Sequence, residues 1–149
     1  MSRILIIGGG AAGMMAAISA ARGGKKGVLF EKNDKLGKKL FITGKGRCNL
    51  TNAADIEDHF AAVVRNPKFL YSSFYTFSNR QVIDFFEELG LKTKVERGGR
   101  VFPATDHSSD VIRTLEREMR RLGVEIWLGT EVKELMTEKS KEGIRISGV

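Results

Sequence analysis

The segment RILIIGGGAAGMMAAISAARGGKKGVLFEK, residues 3–32, contains the pattern that decides the fold. It opens with β-branched and leucine residues at 4–7, which are typical of a strand buried on both faces of a parallel sheet. The chain then runs through glycines into AAGMMAAISAAR, a stretch of high helix propensity that stops at Gly23 and Gly24. A second short strand follows at 28–30. The segment therefore predicts a β-α-β unit of the size that binds one mononucleotide.

Three glycines between this strand and helix have the spacing of a phosphate-binding turn. Gly8, Gly10 and Gly13 form G-x-G-x-x-G. Gly8 would permit a tight turn, Gly10 would let a pyrophosphate approach the backbone, and Gly13 would let helix and strand pack closely. The helix N-terminus would then offer N–H groups and a positive dipole end to the phosphates. A glycine-rich turn often binds nothing, so the motif indicates nucleotide binding only because it lies within a predicted β-α-β unit.

Glu31 follows Gly13 by 18 residues and stands at the end of the second strand. A carboxylate at this position can accept hydrogen bonds from both ribose hydroxyls of an adenosine. The alternative interpretation is an exposed acid that pairs with a neighbouring lysine. The negative charge of Glu31 would repel the 2′-phosphate of NADP, which argues against NADP as the ligand of this site. FAD and NAD share this half-site, so these residues leave the choice between them open.

Length and composition limit the class of protein. With 149 residues, 42% of them hydrophobic, we expect a single compact unit. No apolar run approaches the roughly 20 residues of a membrane span, and residues 4–7 lack the flanks of a signal peptide, which predicts a cytoplasmic protein. The single cysteine, Cys48, excludes an internal disulfide, and no CxxC or HExxH spacing indicates a metal site.

The net charge of +7 is concentrated in one segment. Between Arg22 and Arg47 there are nine basic residues against two acidic ones, and the rest of the chain is balanced. Such a surface could meet RNA, an acidic partner or the phosphates of a cofactor, although a solvated lysine-rich face is equally compatible. Aromatic residues cluster near 69–77 and 85–86, away from the basic run, so no interleaved stacking platform supports RNA. A basic RNA-binding module is nevertheless a second hypothesis.

Two further helices are predicted downstream. Ser78 and Gln81 have the spacing of a capping box before an apolar-periodic stretch that ends at Gly90. Apolar residues recur at helical spacing again from about Ser108 to Leu122.

The C-terminal part reads as short strands. VEIWL, EVKEL and IRIS are three strand candidates, with Glu142 and Gly143 in a turn between the last two. Trp127 in the first of them is expected in the core. Because the chain stops on a strand pattern, the parallel sheet would have an open edge. We expect either an unusually small fold or part of a longer protein.

The polar run TGKGRCNLTN, residues 43–52, connects these elements to a known family. In flavoproteins with two nucleotide-binding folds, the segment after the acid crosses back over the pyrophosphate toward the flavin, and NAD dehydrogenases have no such segment. GGGAAGMMAAISAA, EKNDKLGKKLFITGKGRCNLTN and GGRVFPAT occur here in that order. Together they resemble the BaiN/RdsA-like family of bacterial NAD(P)/FAD-dependent oxidoreductases.

The resemblance implies an α/β fold, with a Rossmann-like FAD-binding domain that has a parallel sheet core and a small β meander. Residues 1–149 would be its N-terminal FAD-binding portion. Family members are more than twice as long, and their inserted substrate domain and closing flavin segment would be absent. The implied reaction passes hydride from NAD(P)H through FAD to an organic substrate, such as a ring carbon–carbon double bond. A fragment that folds around FAD only with its missing half is a third possibility.

The resemblance also assigns cofactor-binding residues, but no catalytic residue and no metal. The pyrophosphate positions are Gly8, Gly10, Ala11, Ala12 and Gly13, and Glu31 is the ribose position. Lys32 and Lys39 would flank the adenosine and phosphates, and Val132 is a strand position whose backbone meets adenine. The flavin-proximal stretch is Gly46, Arg47, Cys48 and Asn49, and Lys45 stands where the family commonly has glycine. Cys48 could protonate a substrate or sense the flavin, although a small half-buried residue is the commoner case.

Overall fold

The computed structural model describes residues 3–140 and 143–149. They divide into two compact units, Met1–Lys39 with Leu115–Val149, and Leu40–Thr114. The expectation of a single compact unit is therefore wrong. The chain leaves the first unit and returns to it about 75 residues later, and length and composition carry no signal for such an excursion.

The elements follow one another in a mixed order. They are β1 (Arg3–Ile7), α1 (Ala11–Arg22), β2 (Lys26–Phe30), α2 (Lys38–Ile42), β3 (Thr51–Asn52), α3 (Ile56–Ala61), α4 (Tyr71–Thr76), α5 (Asn79–Glu88), β4 (Thr93–Val95), β5 (Arg100–Pro103), α6 (Ser108–Arg121), β6 (Glu125–Trp127), β7 (Met136–Ser140) and β8 (Gly143–Gly148). Short 3-10 turns lie at Thr43–Gly46, Pro67–Leu70 and Arg97–Gly99.

The first unit contains a parallel sheet of order β1-β2-β6, which confirms the predicted Rossmann-like α/β fold. Met14 and Ile18 of α1 and Leu29 of β2 are fully buried. β1 forms where predicted, but of its apolar side chains only Ile6 is buried. Ile4, Leu5 and Ile7 are exposed, so the prediction of a first strand buried on both faces is wrong.

The strands at the C-terminal end differ in part from those predicted. VEIWL does supply β6, but EVKEL is not a strand: the next strand begins at Met136 and pairs with β8 in an antiparallel hairpin. IRIS lies in β8, Gly143 is the first residue of that strand, and Glu142 lies outside the described residues. Trp127, expected in the core, is 49% exposed, and its ring edge packs against Phe30 with centroids 5.4 Å apart.

The second unit is built on an antiparallel sheet of order β3-β5-β4. The predicted capping box opens α5: the Ser78 side chain accepts from the Gln81 N–H, and the Gln81 side chain accepts from the Ser78 N–H. Phe85 and Phe86 of α5 are buried, as are Val101 and Phe102 of the central strand β5.

The predicted long helix is α6, with Val111, Leu115 and Met119 buried. Its acidic side chain Glu118 is buried as well, which the apolar periodicity did not indicate. Across the residues that the structure describes, no helix combines the length and apolar character needed to cross a membrane.

Candidate functional site

The glycine turn between β1 and α1 has the geometry that its spacing predicts. Gly8 has φ +101°, a conformation that side chains disfavour, and its N–H donates to the Phe30 carbonyl at 2.8 Å. A Cβ on Gly13 would lie 1.8 Å from the Gly8 carbonyl oxygen, so α1 packs on the turn at a distance that only glycine permits. At Gly10, a Cβ would meet nothing within 4 Å. The space in front of Gly10 is therefore open to a ligand.

Gly9, the middle glycine, is a position that the motif did not single out. Its N–H donates to the Glu31 Oε2 at 2.6 Å. A Cβ here would lie 2.5 Å from Leu36 Cδ2 and 3.1 Å from Glu31 Oε2. The glycine turn and the end of β2 are thus joined by a direct hydrogen bond, with no room for a side chain between them.

Glu31 is buried, with 7% of its surface exposed, so the alternative of an exposed acid paired with a lysine is wrong. Besides Gly9, its carboxylate accepts from Asn33, whose backbone N–H and side-chain Nδ2 both donate to Oε1, at 2.8 and 2.6 Å. Burial raises the pKa of the Glu31 carboxyl, but the hydrogen bonds from Asn33 and Gly9 and the charge of Lys32 outweigh it and leave the pKa below its usual value. Glu31 is therefore ionised at neutral pH.

A pocket of about 370 Å³ opens beside this carboxylate. Its lining consists of Ile7, Gly8, Phe30, Glu31, Lys32, Asn33, Thr130, Glu131 and Val132. The turn after β6 is joined to the end of β2 by backbone hydrogen bonds of 2.9 Å each: Glu31 N–H to Trp127 O, Gly129 N–H to Asn33 O and Thr130 N–H to Glu31 O. Val132 thus reaches the pocket from irregular chain. The strand predicted at 131–135 is absent, because none of the described strands pairs with this segment.

The predicted residues are divided between the two units. Gly8, Glu31, Lys32 and Val132 surround the pocket in the first unit. Ala11 and Ala12 form the first turn of α1, and Lys39 is an exposed residue of α2. The remaining positions, Gly46, Arg47, Cys48 and Asn49, belong to the second unit.

Four residues of the turn at 43–49 have left-handed backbone conformations. Gly44 and Gly46 have φ +56° and +85°, and Lys45 and Cys48 adopt φ +57° and +60°. The conformation of Lys45 is one that a Cβ disfavours and that glycine adopts readily.

Cys48 is 4% exposed. Burial raises the pKa of its thiol, and a hydrogen bond with Thr43 opposes that rise only in part. A thiol that stays protonated is a poor nucleophile. These properties are those of a structural cysteine.

Arg47 lies in a cluster of four charges that the sequence did not reveal. Its guanidinium donates to Glu96 and, at 2.6 Å, to Asp106, which in turn accepts from Lys94. The guanidinium carbon stands 4.2 Å from the centre of the Phe102 ring. Hydrogen bonds from Lys94 and Arg47 hold the pKa of the Asp106 carboxyl below its usual value. The Arg47 side chain therefore fixes the end of the turn within its own unit.

Asn49 is held in a similar way. With its amide nitrogen turned toward β3 and β5, it donates to the Val101 carbonyl at 3.0 Å and to the Thr51 carbonyl at 2.9 Å. These bonds tie the residue after Cys48 to the antiparallel sheet. The side chains of Arg47 and Asn49, both predicted to lie near a flavin, are held in place by hydrogen bonds within the second unit.

Comparison with known proteins gives consistent matches. The family model described as HI0933-like protein Rossmann domain matches residues 2–148. The chain is 41% identical to a 3-dehydro-bile acid delta(4,6)-reductase of Clostridium scindens, over 99% of this chain and 36% of that protein. It is 29% identical to a ribosomal RNA dihydrouridine synthase of Haemophilus influenzae, over 97% of this chain and 35% of that protein. The chain thus spans little more than a third of the length of these relatives.

A solved structure shows the same fold. The crystal structure of Thermovibrio ammonificans THI4 superposes with a TM-score of 0.66 at 13% identity and covers 97% of this chain and 45% of that one.

Proposed function

Because the chain belongs to the HI0933-like Rossmann domain family, we propose that it is the FAD-binding part of a flavin-dependent oxidoreductase. One observation carries this proposal: the buried carboxylate of Glu31 is hydrogen-bonded to the glycine turn and lines a pocket together with Gly8. A glycine turn, a helix N-terminus and an acid at the end of the second strand are the parts of an adenosine diphosphate site.

The pyrophosphate would lie against the N-terminus of α1. The first N–H groups of a helix have no partners within it, and Gly10 provides no side-chain cap. The N–H groups of Ala11, Ala12 and Gly13 would therefore donate to phosphate oxygens, and the open space at Gly10 would admit them. The residues present fit the group that the family implies.

The adenosine would occupy the pocket beside Glu31. The ionised carboxylate would accept from the ribose, the backbone near Val132 would meet adenine, and Lys32 in the pocket wall would add positive charge near the phosphates. The charge of Glu31 also disfavours a 2′-phosphate. The resemblance of residues 43–52 to a flavin-proximal segment favours FAD over NAD as the cofactor. The same resemblance supports the proposal that the flavin would lie near Gly46, Arg47, Cys48 and Asn49.

When bound, the flavin would supply hydride transfer between NAD(P)H and an organic substrate. The described residues would bind and orient it, and we assign none of them a catalytic role. The 41% identical relative is a bile acid reductase, which favours a ring carbon–carbon double bond as the reducible group. The substrate, the hydride donor and a cytoplasmic location are all parts of this proposal.

The proposal is tested by flavin retention. The purified 149-residue chain is mixed with FAD and desalted, and its visible absorption is recorded. We expect a protein-shifted flavin spectrum that Gly10→Ala abolishes, because the new methyl group would occupy the phosphate position. Gly23→Ala, at the opposite end of α1, is the control: its Cβ would make only ordinary contacts of 3.4 and 3.5 Å. A chain that is folded by circular dichroism but retains no flavin would overturn the proposal.

A second candidate is a module that binds RNA through the basic segment Arg22–Arg47. A relative that acts on ribosomal RNA favours it. Against it, Arg22 pairs with Glu118 and Arg47 with two carboxylates, which reduces the charge available to phosphates. Charge reversal at the exposed lysines 25 and 35 tests this candidate: loss of binding to single-stranded RNA with unchanged FAD retention would support it.

A further inference from the structure

We propose that Asn33 is a positioning residue for the bound nucleotide and acts through Glu31. This inference rests on the proposed FAD site. The sequence motif ends at Glu31, but two of the three described donors to its carboxylate, a backbone N–H and a side-chain amide, come from Asn33. None of the comparisons assigns a role to this residue.

These hydrogen bonds fix the orientation of the Glu31 carboxylate and limit the number of further hydrogen bonds that it can accept. A carboxylate has about four acceptor positions, two on each oxygen. Both Asn33 donors reach Oε1, and Gly9 reaches Oε2. Among the contacts of the described residues, one position therefore stays open, and it lies on Oε2. Asn33 directs the ribose to that oxygen, whereas the sequence predicted that both ribose hydroxyls could be accepted.

Asn33 is itself held from two sides. The Lys38 Nζ at the start of α2 donates to Asn33 Oδ1 at 3.1 Å. The Gly129 N–H in the turn after β6 donates to the Asn33 carbonyl at 2.9 Å. The lysine fixes which way the amide faces, since a donor at Oδ1 leaves Nδ2 to point at Glu31. The Asn33 amide thus has a defined orientation before any ligand binds.

Hydrogen bonds affect the ionisation of Glu31 more than the nearby charges do. Lys32 and Glu131 line the same pocket, one of each sign, and Lys38 is 3.5 Å from Asp34 as well as bonded to Asn33. The first turn of α1, from Ala11 to Met14, has no titratable side chain. Burial alone would raise the pKa of Glu31. The backbone N–H of Asn33, then that of Gly9 and then the side-chain amide of Asn33 reverse this effect. A substitution of Asn33 removes only the side-chain donor.

Three variants of the full chain test the proposal: Asn33→Ala, Asn33→Asp and, as a control outside this network, Asp84→Asn at an exposed position of α5. FAD affinity is measured by flavin fluorescence from pH 5 to pH 8. We expect Asn33→Ala to bind FAD about threefold to tenfold more weakly at pH 7, the range that the loss of one ordinary intramolecular hydrogen bond produces. Its affinity should begin to fall at a higher pH than in the wild type, because Glu31 becomes protonated earlier.

The Asn33→Asp variant distinguishes a role of Asn33 in orienting Glu31 from a role in packing alone. This variant keeps the shape of the side chain but places an acceptor against Glu31, so we expect it to bind FAD at least as weakly as Asn33→Ala. An Asn33→Asp variant with wild-type affinity and pH profile would overturn the proposal, because a merely structural role is satisfied by an isosteric residue. Asp84→Asn should match the wild type, and thermal unfolding should show that all three variants fold.

A measurement without nucleotide makes the inference independent of cofactor binding. The carboxyl carbon of Glu31 is followed by ¹³C NMR through a pH titration of the free chain. We expect its midpoint to rise in Asn33→Ala, and an unchanged midpoint would overturn the positioning role. If the wild-type chain binds no FAD, the proposed function fails, while the titration still decides whether Asn33 controls Glu31.

Discussion

A Cβ atom on Gly13 would lie 1.8 Å from the carbonyl oxygen of Gly8 and 3.5 Å from a methyl group of Ile6. This contact sets how closely α1 approaches the first strand. The same closeness brings the helix N-terminus to the turn where phosphates would bind. Gly13 therefore contributes to the packing of α1 against the first strand whether or not a ligand binds.

We expect Gly13→Ala to lower the free energy of unfolding by at least about 2 kcal/mol, because the methyl group must displace backbone atoms. Urea denaturation followed by circular dichroism measures the change. Gly10→Ala is the comparison, since its Cβ meets open space and only a less favourable N-cap residue costs it stability. Equal stability of the two variants would contradict the packing geometry.

Glu118 joins α6 to α1 through a buried carboxylate. It accepts from Arg121 at 2.7 and 2.9 Å and from Arg22 at 2.9 Å. The hydrogen bonds from Arg121, together with those from Arg22 and the charge of both arginines, outweigh burial and lower the Glu118 pKa to about 2. The ordinary value is 4.5, so the paired carboxylate stabilises the fold above that pH and loses its contribution as the pH falls through 2.

We expect Glu118→Gln to reduce the free energy of unfolding at pH 7 by about 3 kcal/mol, the order of magnitude given by the difference between the two pKa values. The difference in the free energy of unfolding between wild type and variant should decrease as the pH falls from 5 to 2. Urea denaturation at several pH values measures it. A gap that stays constant over this range would show that the effect comes from packing and not from ionisation.

Lys45 should be replaceable by glycine with a gain in stability. Its φ of +57° is a conformation that a Cβ disfavours. Relief of this strain, less the extra entropy of glycine in the unfolded chain, predicts a gain of roughly 0.5 to 1 kcal/mol. Lys45→Ala removes the same charge but keeps the Cβ, so it should show no gain. Thermal unfolding of the two variants side by side distinguishes conformational strain from charge.

Cys48 should resist thiol reagents in the folded chain. It is buried, and burial raises the pKa of its thiol, so both the exposure and the thiolate fraction are low. We expect alkylation by iodoacetamide at pH 8 to be about a hundredfold slower than in guanidinium chloride, where only the unfolded state reacts. Equal rates in the two conditions would show that the turn at 43–49 opens freely.

Several elements could be predicted from sequence because the interactions that form them are local. The glycine spacing, the alanine-rich helix and the position of Glu31 depend on residues fewer than 30 positions apart, and they gave the parallel β-α-β unit. The capping box of Ser78 and Gln81 spans three residues and was found as predicted. Backbone preference and short-range hydrogen bonding determine such features directly.

Strand positions without such local signals were less predictable. EVKEL has the composition of a strand, yet the hairpin uses the next five residues, because a strand forms only where a partner in register accepts its hydrogen bonds. The prediction that β1 is buried on both faces was wrong for a related reason, because the burial of a strand depends on the elements that pack against it and not on its own composition.

Only the tertiary structure decided how the charged groups are used. Arg22 meets Glu118 across 96 positions of sequence, and Arg47 meets Asp106 across 59. Such pairs leave no pattern in the chain, because the free energy of each depends on burial and on donors brought in by other elements. The sequence determined that an acid would follow the second strand. The fold decided that this acid would be buried, ionised and oriented by Gly9 and Asn33, since only packing places those donors around it.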